Sequence, residues 1–182
     1  MKKWLRYTVL ILLLWLLFVI LCLVIPPLFH KEAGYGPGED AEGDSFSTPE
    51  RILCIDDNKE ALIWRLRLIG AAKERIILTT FDFRDEESGQ DIMAALWEAA
   101  QRGVKVQILV DGINGMFFLS DSSHFKQLVS HEQVEARFYN PIDLFRPWRT
   151  NYRMHDKYLI ADDWGYILGG RNTDNRFLGY YK

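Results

Sequence analysis

His155 and Lys157 stand two residues apart in Tyr152–Asn175, YRMHDKYLIADDWGYILGGRNTDN. On an extended strand alternate side chains share a face, so this spacing sets an imidazole beside an ammonium. Asp162 follows after four intervening residues, and Gly169-Gly170-Arg171-Asn172 follows after six more. A neutral imidazole can attack phosphorus and split one hard displacement into two easier ones. A lysine and an asparagine carboxamide are donors suited to the non-bridging oxygens of a phosphoryl group, where charge develops during transfer. A lone His-x-Lys on a strand reads as a solvated polar face; Asn172 and the glycine pair turn the reading toward a phosphate site.

These residues need an element that brings them together. Tyr158 to Ala161 and Tyr166 to Leu168 are β-formers, and Asp162-Asp163-Trp164-Gly165 between them are turn formers, so the stretch predicts a β-hairpin. A turn centred on Asp163-Trp164 sets Lys157 opposite Gly170 and His155 opposite Asn172, with opposed Cβ atoms about 5 Å apart. Gly169 and Gly170 would leave the backbone open to a ligand lying against it. Asp162 falls at the turn, too far along the strand to touch His155, and reads as a brace for the turn or a neighbouring backbone.

The hairpin ends a chain of 182 residues with a net charge of -3. That charge is too small to mark a nucleic-acid binder by bulk electrostatics, though it leaves a local patch open. Cys22 and Cys54 form neither a disulfide framework nor a metal site. His30, His124, His131 and His155 make no ligand spacing with the carboxylates, so neither metal nor cofactor is expected.

Lys2, Lys3 and Arg6 precede an uncharged run from Tyr7 to Phe29, long enough to cross a bilayer whose helices need roughly 20 apolar residues. It exceeds the roughly 7 to 15 residues of a signal-peptide core, so an anchor at 1–30 is expected, ended by Pro26-Pro27. Basic residues before the span favour a cytoplasmic N-terminus and place the rest of the chain outside, as a single-pass protein of the cell membrane. Residues 31–50 are acidic and rich in Gly and Ser, which predicts a flexible linker.

From Arg51 onward, strand and helix patterns alternate. The spacing predicts a strand or loop over Arg51 to Ile55, then a helix capped by Asp57 or Asn58 that runs to about Ala72, with Leu62, Leu66 and Ile69 on one stripe. A buried strand is expected over Arg75 to Phe83, and a helix capped by Ser88 through about Arg102, closed by Gly103. Strands at Val104 to Val110 and Val134 to Tyr139 flank a third helix starting at Asp121 or Ser122. Phe117-Phe118-Leu119, flanked by Gly115-Met116, is expected to pack inside, with an exposed lipid-facing loop as the alternative. Alternation with short connections predicts an α/β layered domain over 51–182, its mixed, mostly parallel sheet covered by helices.

The pattern His155-x-Lys157-x4-Asp162 followed by Gly169-Gly170-x-Asn172 resembles the signature of the phospholipase D superfamily, and Phe81 to Gly112 resembles the strand, helix, strand unit that precedes it in bacterial cardiolipin synthases. The resemblance implies a catalytic set of His155, Lys157 and Asp162, with phosphate held by Lys157, Asn172, Gly169 and Gly170. It further implies a phosphohistidine intermediate and an anionic phospholipid substrate such as phosphatidylglycerol. Family enzymes join two such motifs, and this chain carries one, of first-motif character. The second is expected from a C-terminal half that the chain lacks or from a second chain. Two other functions fit a single motif: a homodimeric phosphodiesterase or endonuclease acting on nucleic acid, and a non-catalytic half domain.

Overall fold

The computed structural model describes residues 3–29 and 51–179, and they form two separate compact units, divided at Cys54. The linker expected at 31–50 lies outside the described residues.

The first unit holds α1, Lys3–Phe29, every apolar side chain of which is exposed or half-exposed. The helix runs through Pro26 and Pro27 to Phe29 instead of ending at them. Proline's fixed φ is itself helical, so the two rings keep the chain in helical conformation to Phe29.

Arg51 to Asp56 are coil, with no strand there; the second unit begins within that coil, at Ile55, and continues with α2 (Asn58–Ala71), capped by the Asp57 carboxylate, which accepts from the Glu60 amide at 2.9 Å. Next come β1 (Arg75–Thr80), α3 (Glu87–Gln101) and β2 (Lys105–Asp111). A short α4 (Gly112–Asn114) runs into a π-helical turn, Gly115–Leu119, and α5 (Ser123–Val129) is capped by Ser122. Last are β3 (Val134–Tyr139), a 3₁₀ turn at Pro147–Asn151, β4 (Tyr158–Ala161) and β5 (Gly165–Leu168).

The five strands order as β3-β2-β1-β4-β5. β1, β2 and β3 are parallel, and β4 and β5 join antiparallel, so the sheet is mixed as expected. Register explains the core. Ile76 aligns with Val106 and Ala161, Leu78 with Ile108 and Leu159, and Val106, Ile108 and Val110 with Val134, Ala136 and Phe138. These alternate residues pack with Leu62, Ile69, Ile92, Leu96, Phe125 and Leu128 of the three helices, which therefore lie on one face of the sheet. On the other face Ile77, Leu109, Ile160, Tyr166 and Leu168 are half-exposed or exposed.

Two expected boundaries move. β1 stops at Thr80 and not at Phe83, because the chain bends away before Phe83 rejoins a neighbour, bridging Thr173 in parallel. α3 is preceded by Glu86 and is not capped by Ser88. The Ser88 amide instead donates to Asn175 Oδ1 at 3.0 Å, and the Asn175 amide donates to Glu86 Oε2 at 3.1 Å. A partner 87 residues away has taken the place of the local cap.

Candidate active site

The hairpin forms, but its register is one residue from that expected. Ala161 aligns with Gly165 and Tyr158 with Leu168, leaving a three-residue loop, Asp162 to Trp164. Asp162 takes a left-handed conformation, φ 51°. The carboxylate explains the slip: Oδ1 accepts from the amides of Glu74 and Arg75, and Oδ2 from Lys73, all at 2.9 Å, while Trp164 Nε1 adds a bond at 3.1 Å. Capturing the turn between α2 and β1 pulls Asp162 off the end of β4. Hydrogen bonds to its charged form, the Arg75 amide first, hold its carboxyl far below the usual carboxylate range. Asp162 thus sits at the far end of β4 from His155, with both oxygens engaged by the protein.

With the slip, Lys157 faces Gly169, whose amide donates to the Lys157 carbonyl at 3.3 Å. That amide is accordingly taken by the sheet. A Cβ at Gly169 or Gly170 would meet nothing within 4 Å, so the protein does not itself crowd this stretch. His155 no longer stands across the hairpin from Asn172.

The extension of β1 draws these residues to one edge instead. The ring of Phe81 meets that of His155 edge-on, centroids 4.9 Å apart at 65°. Lys157 Nζ lies 5.5 Å from the centroid of the same Phe81 ring and donates to the His155 carbonyl at 2.6 Å. One residue on, the Asp82 carbonyl accepts from the Thr173 amide at 3.0 Å, and the Arg84 amide donates to the Thr173 carbonyl at 3.1 Å. Asn172 is thereby fixed beside the same extension. Phe81 was hidden in the sequence as one more apolar residue of a supposed continuous strand.

Electrostatics divide this edge in two. Below it, Arg176 joins Asp82 at 2.7 Å and Asp174 at 2.8 Å, and Arg84 Nε joins Asp82 at 2.9 Å. Hydrogen bonds to Asp174, then the charges of Asp174 and Asp82, raise the Arg176 pKa beyond its ordinary value against the opposing effect of burial. This network ties the loop after Asn172 to β1. Above it, Lys157 is only 6% exposed, and no carboxylate pairs with it among the described residues. Burial lowers its pKa, partly offset by the charge of Asp156. Asn172, 9% exposed, keeps its Oδ1 buried without a partner.

Asp111, at the end of β2, is a positioning residue that its place before Gly112 disguised as a strand stop. Fully buried, it accepts from Arg153 Nη1 at 3.2 Å and the Met154 amide at 3.3 Å, fixing the segment that enters His155. Arg153 also donates to the Asn140 carbonyl, and Asn140 Nδ2 donates to the Tyr152 carbonyl at 2.9 Å. His124 lies elsewhere, on α5, where its Nδ1 meets Asp85 at 2.8 Å, and His131 packs edge-on to Trp97. Among the described residues no three His, Cys, Asp or Glu side chains are grouped to hold a metal.

Residues 66–180 match a protein-family model described as "cardiolipin synthase, PLD-like domain". Cardiolipin synthase B of Shigella flexneri is 38% identical over 139 residues, covering 75% of this chain and 33% of that protein. Cardiolipin synthase C of Escherichia coli K12 is 32% identical over 137 residues, 70% of this chain and 28% of the relative. The chain thus spans about a third or less of the length of these curated relatives. Among solved structures, a phospholipase D family member from Salmonella typhimurium is similar, with a TM-score of 0.48 and 22% identity over 64% of this chain and 67% of that one.

Proposed function

The chain belongs to the phospholipase D-like domain family of the cardiolipin synthases, and on that premise we propose that it supplies the nucleophilic half of a phosphodiester-exchange site for membrane phospholipids. Lys157 carries the proposal: a buried ammonium without a carboxylate partner among the described residues is a seat prepared for an anion. A phosphodiester would restore the charge balance that burial denies it, with Asn172 as the second polar group at the oxygens.

His155 would attack phosphorus through a ring nitrogen, forming the P–N bond as the P–O bond to the leaving alkoxide breaks. The proton for that alkoxide would come from an acid of a second motif, on a C-terminal half of a longer protein or on a second chain. The same group would then take the proton of the incoming alcohol, which displaces His155 from phosphorus. With glycerol-headed phosphatidylglycerol as acceptor the product is a cardiolipin; with water it is phosphatidic acid. Phe81 would limit rotation of the His155 ring, and the Nζ bond to the His155 carbonyl would couple the two residues. Asp162 would contribute by holding the hairpin. The apolar α1 would make the chain a single-pass membrane protein, its second unit on the extracytoplasmic side.

The test is the full chain, together with a chain that carries a second motif, in vesicles containing radiolabelled phosphatidylglycerol, with lipid products separated and protein-bound label counted after quenching. Cardiolipin, phosphatidic acid or a covalent label that disappears in His155→Asn is the expected result. Absence of all three from the unsubstituted protein would overturn the reading. Cleavage of single-stranded DNA in their place would replace it.

A further inference from the structure

Two loops leave the C-terminal ends of the neighbouring parallel strands β2 and β3, on the sheet edge where β1 runs out into Phe81. The first is the π-helical turn Gly115–Leu119. Only part of it packs inside as expected: Leu119 is fully buried, while Phe117 is 68% exposed and Met116 and Phe118 are also exposed. The second loop, after Tyr139, exposes Leu144 and, at 92%, Phe145.

Large apolar side chains left in water on two loops that start side by side mark a contact surface, and the charges around these name its partner. Residues 112–120 carry no charge, and residues 139–153 carry Arg146, Arg149 and Arg153 against Asp143 alone. That is three cations against one anion on a chain whose net charge is -3. Arg146 is engaged with Asp143 at 3.3 Å and Arg153 with Asp111, whereas Arg149 is in no ion pair among the described residues. Arg149 lines a groove with Asn140, Pro141, Ile142, Leu144, Phe145 and Asp143, whose carboxylate is already engaged by Arg146. Apolar tips beside a free guanidinium suit the boundary between acyl chains and anionic headgroups.

We propose that these two loops dock on an anionic phospholipid surface, with Phe117 and Phe145 entering the acyl region and Arg149 meeting a lipid phosphate. The inference rests on the reading that the substrate is a membrane phospholipid, and it makes the loops the means by which lipid reaches His155. Apolar insertion supplies the attraction to any bilayer, and the arginines make it depend on anionic lipid.

The experiment uses the full chain with Cys22 and Cys54 replaced by serine, reconstituted in vesicles and carrying one polarity-sensitive fluorophore on Phe117→Cys, Phe145→Cys or, as reference on β5, Tyr166→Cys. The His155→Asn substitution is added, so that lipid contact is read without turnover and stands or falls apart from catalysis. In vesicles of phosphatidylglycerol and phosphatidylcholine, labels at 117 and 145 should shift to the blue and be quenched by acyl-chain nitroxides more than the label at 166. Phosphatidylcholine alone, or Arg149→Glu, should reduce that quenching. Quenching at 117 and 145 no greater than at 166 would overturn the proposal. So would a blue shift without nitroxide quenching, the signature of a protein covering the loops instead.

Discussion

Lys157 and Asp162 are five positions apart in one motif and have opposite electrostatic circumstances. Lys157 is destabilised as a cation by burial, so it gives up its proton at lower pH than an ordinary lysine, whose pKa is about 10.4. Binding of a phosphate analogue such as tungstate, followed by calorimetry across pH, should therefore weaken on the alkaline side before that value is reached. Lys157→Arg should move that limb upward, because a guanidinium stays charged. Lys157→Met should cost turnover about 100-fold or more, as loss of one donor to developing charge commonly does. Asp162 is stabilised as an anion, its folded pKa lying below its unfolded one. Such a group adds stability that is fully present above its unfolded pKa, about 3.9, and drains away as pH falls through the folded value. Asp162→Asn should thus lower Tm at neutral pH, and the gap to the unsubstituted protein should narrow below about pH 4. A gap unchanged in acid would show that the charge is not what the three amides of Lys73, Glu74 and Arg75 require.

At the scale of elements, legibility tracked how local the deciding interaction is. Asp57 and Ser122 were readable as caps because each reaches an amide three residues ahead. The hairpin was readable as a hairpin, but its register was not, since Asp162 is drawn off β4 by amides 87 to 89 residues away in sequence. For the same reason Ser88 looked like a cap until Asn175 claimed its amide. His155 and Lys157 lie just before β4 and not on a common strand, and what joins them is the Nζ bond to the His155 carbonyl and the shared Phe81 ring. Phe81 and Asp111 carry no pattern that marks them, since any apolar strand end or strand-stopping Asp-Gly looks alike. Gly112 shows how tightly the two strand ends are joined: a Cβ there would lie 2.4 Å from the Tyr139 carbonyl oxygen and 2.5 Å from the Pro141 nitrogen. Both contacts are backbone, so Gly112→Ala cannot be absorbed by a rotamer. It should destabilise the domain by about 1–3 kcal/mol, read as a lower Tm. It should also lower activity in the molecules that still fold, because Asp111 and Asn140, which hold the approach to His155, lie on either side of that contact.

For the whole molecule, the chain pairs a folded α/β unit with one helix that is long and apolar enough to cross a membrane. If α1 spans the bilayer, the full chain should stay in the membrane pellet after an alkaline carbonate wash, and its release into the supernatant would rule out a span. Within the second unit, β1 occupies the centre of the sheet, hydrogen-bonded on both sides, while β3 and β5 are the outer strands. Central strands of this kind open only when a domain unfolds globally, whereas outer elements open locally. Deuterium exchange should accordingly be slowest for the amides of Ile76 to Thr80, and faster by a wide margin in β5. The chain runs from that slowest strand directly into Phe81 and Asp82. One wall of the site therefore inherits the permanence of the fold itself, and β4, paired on both sides, ties the segment that carries His155 to that wall.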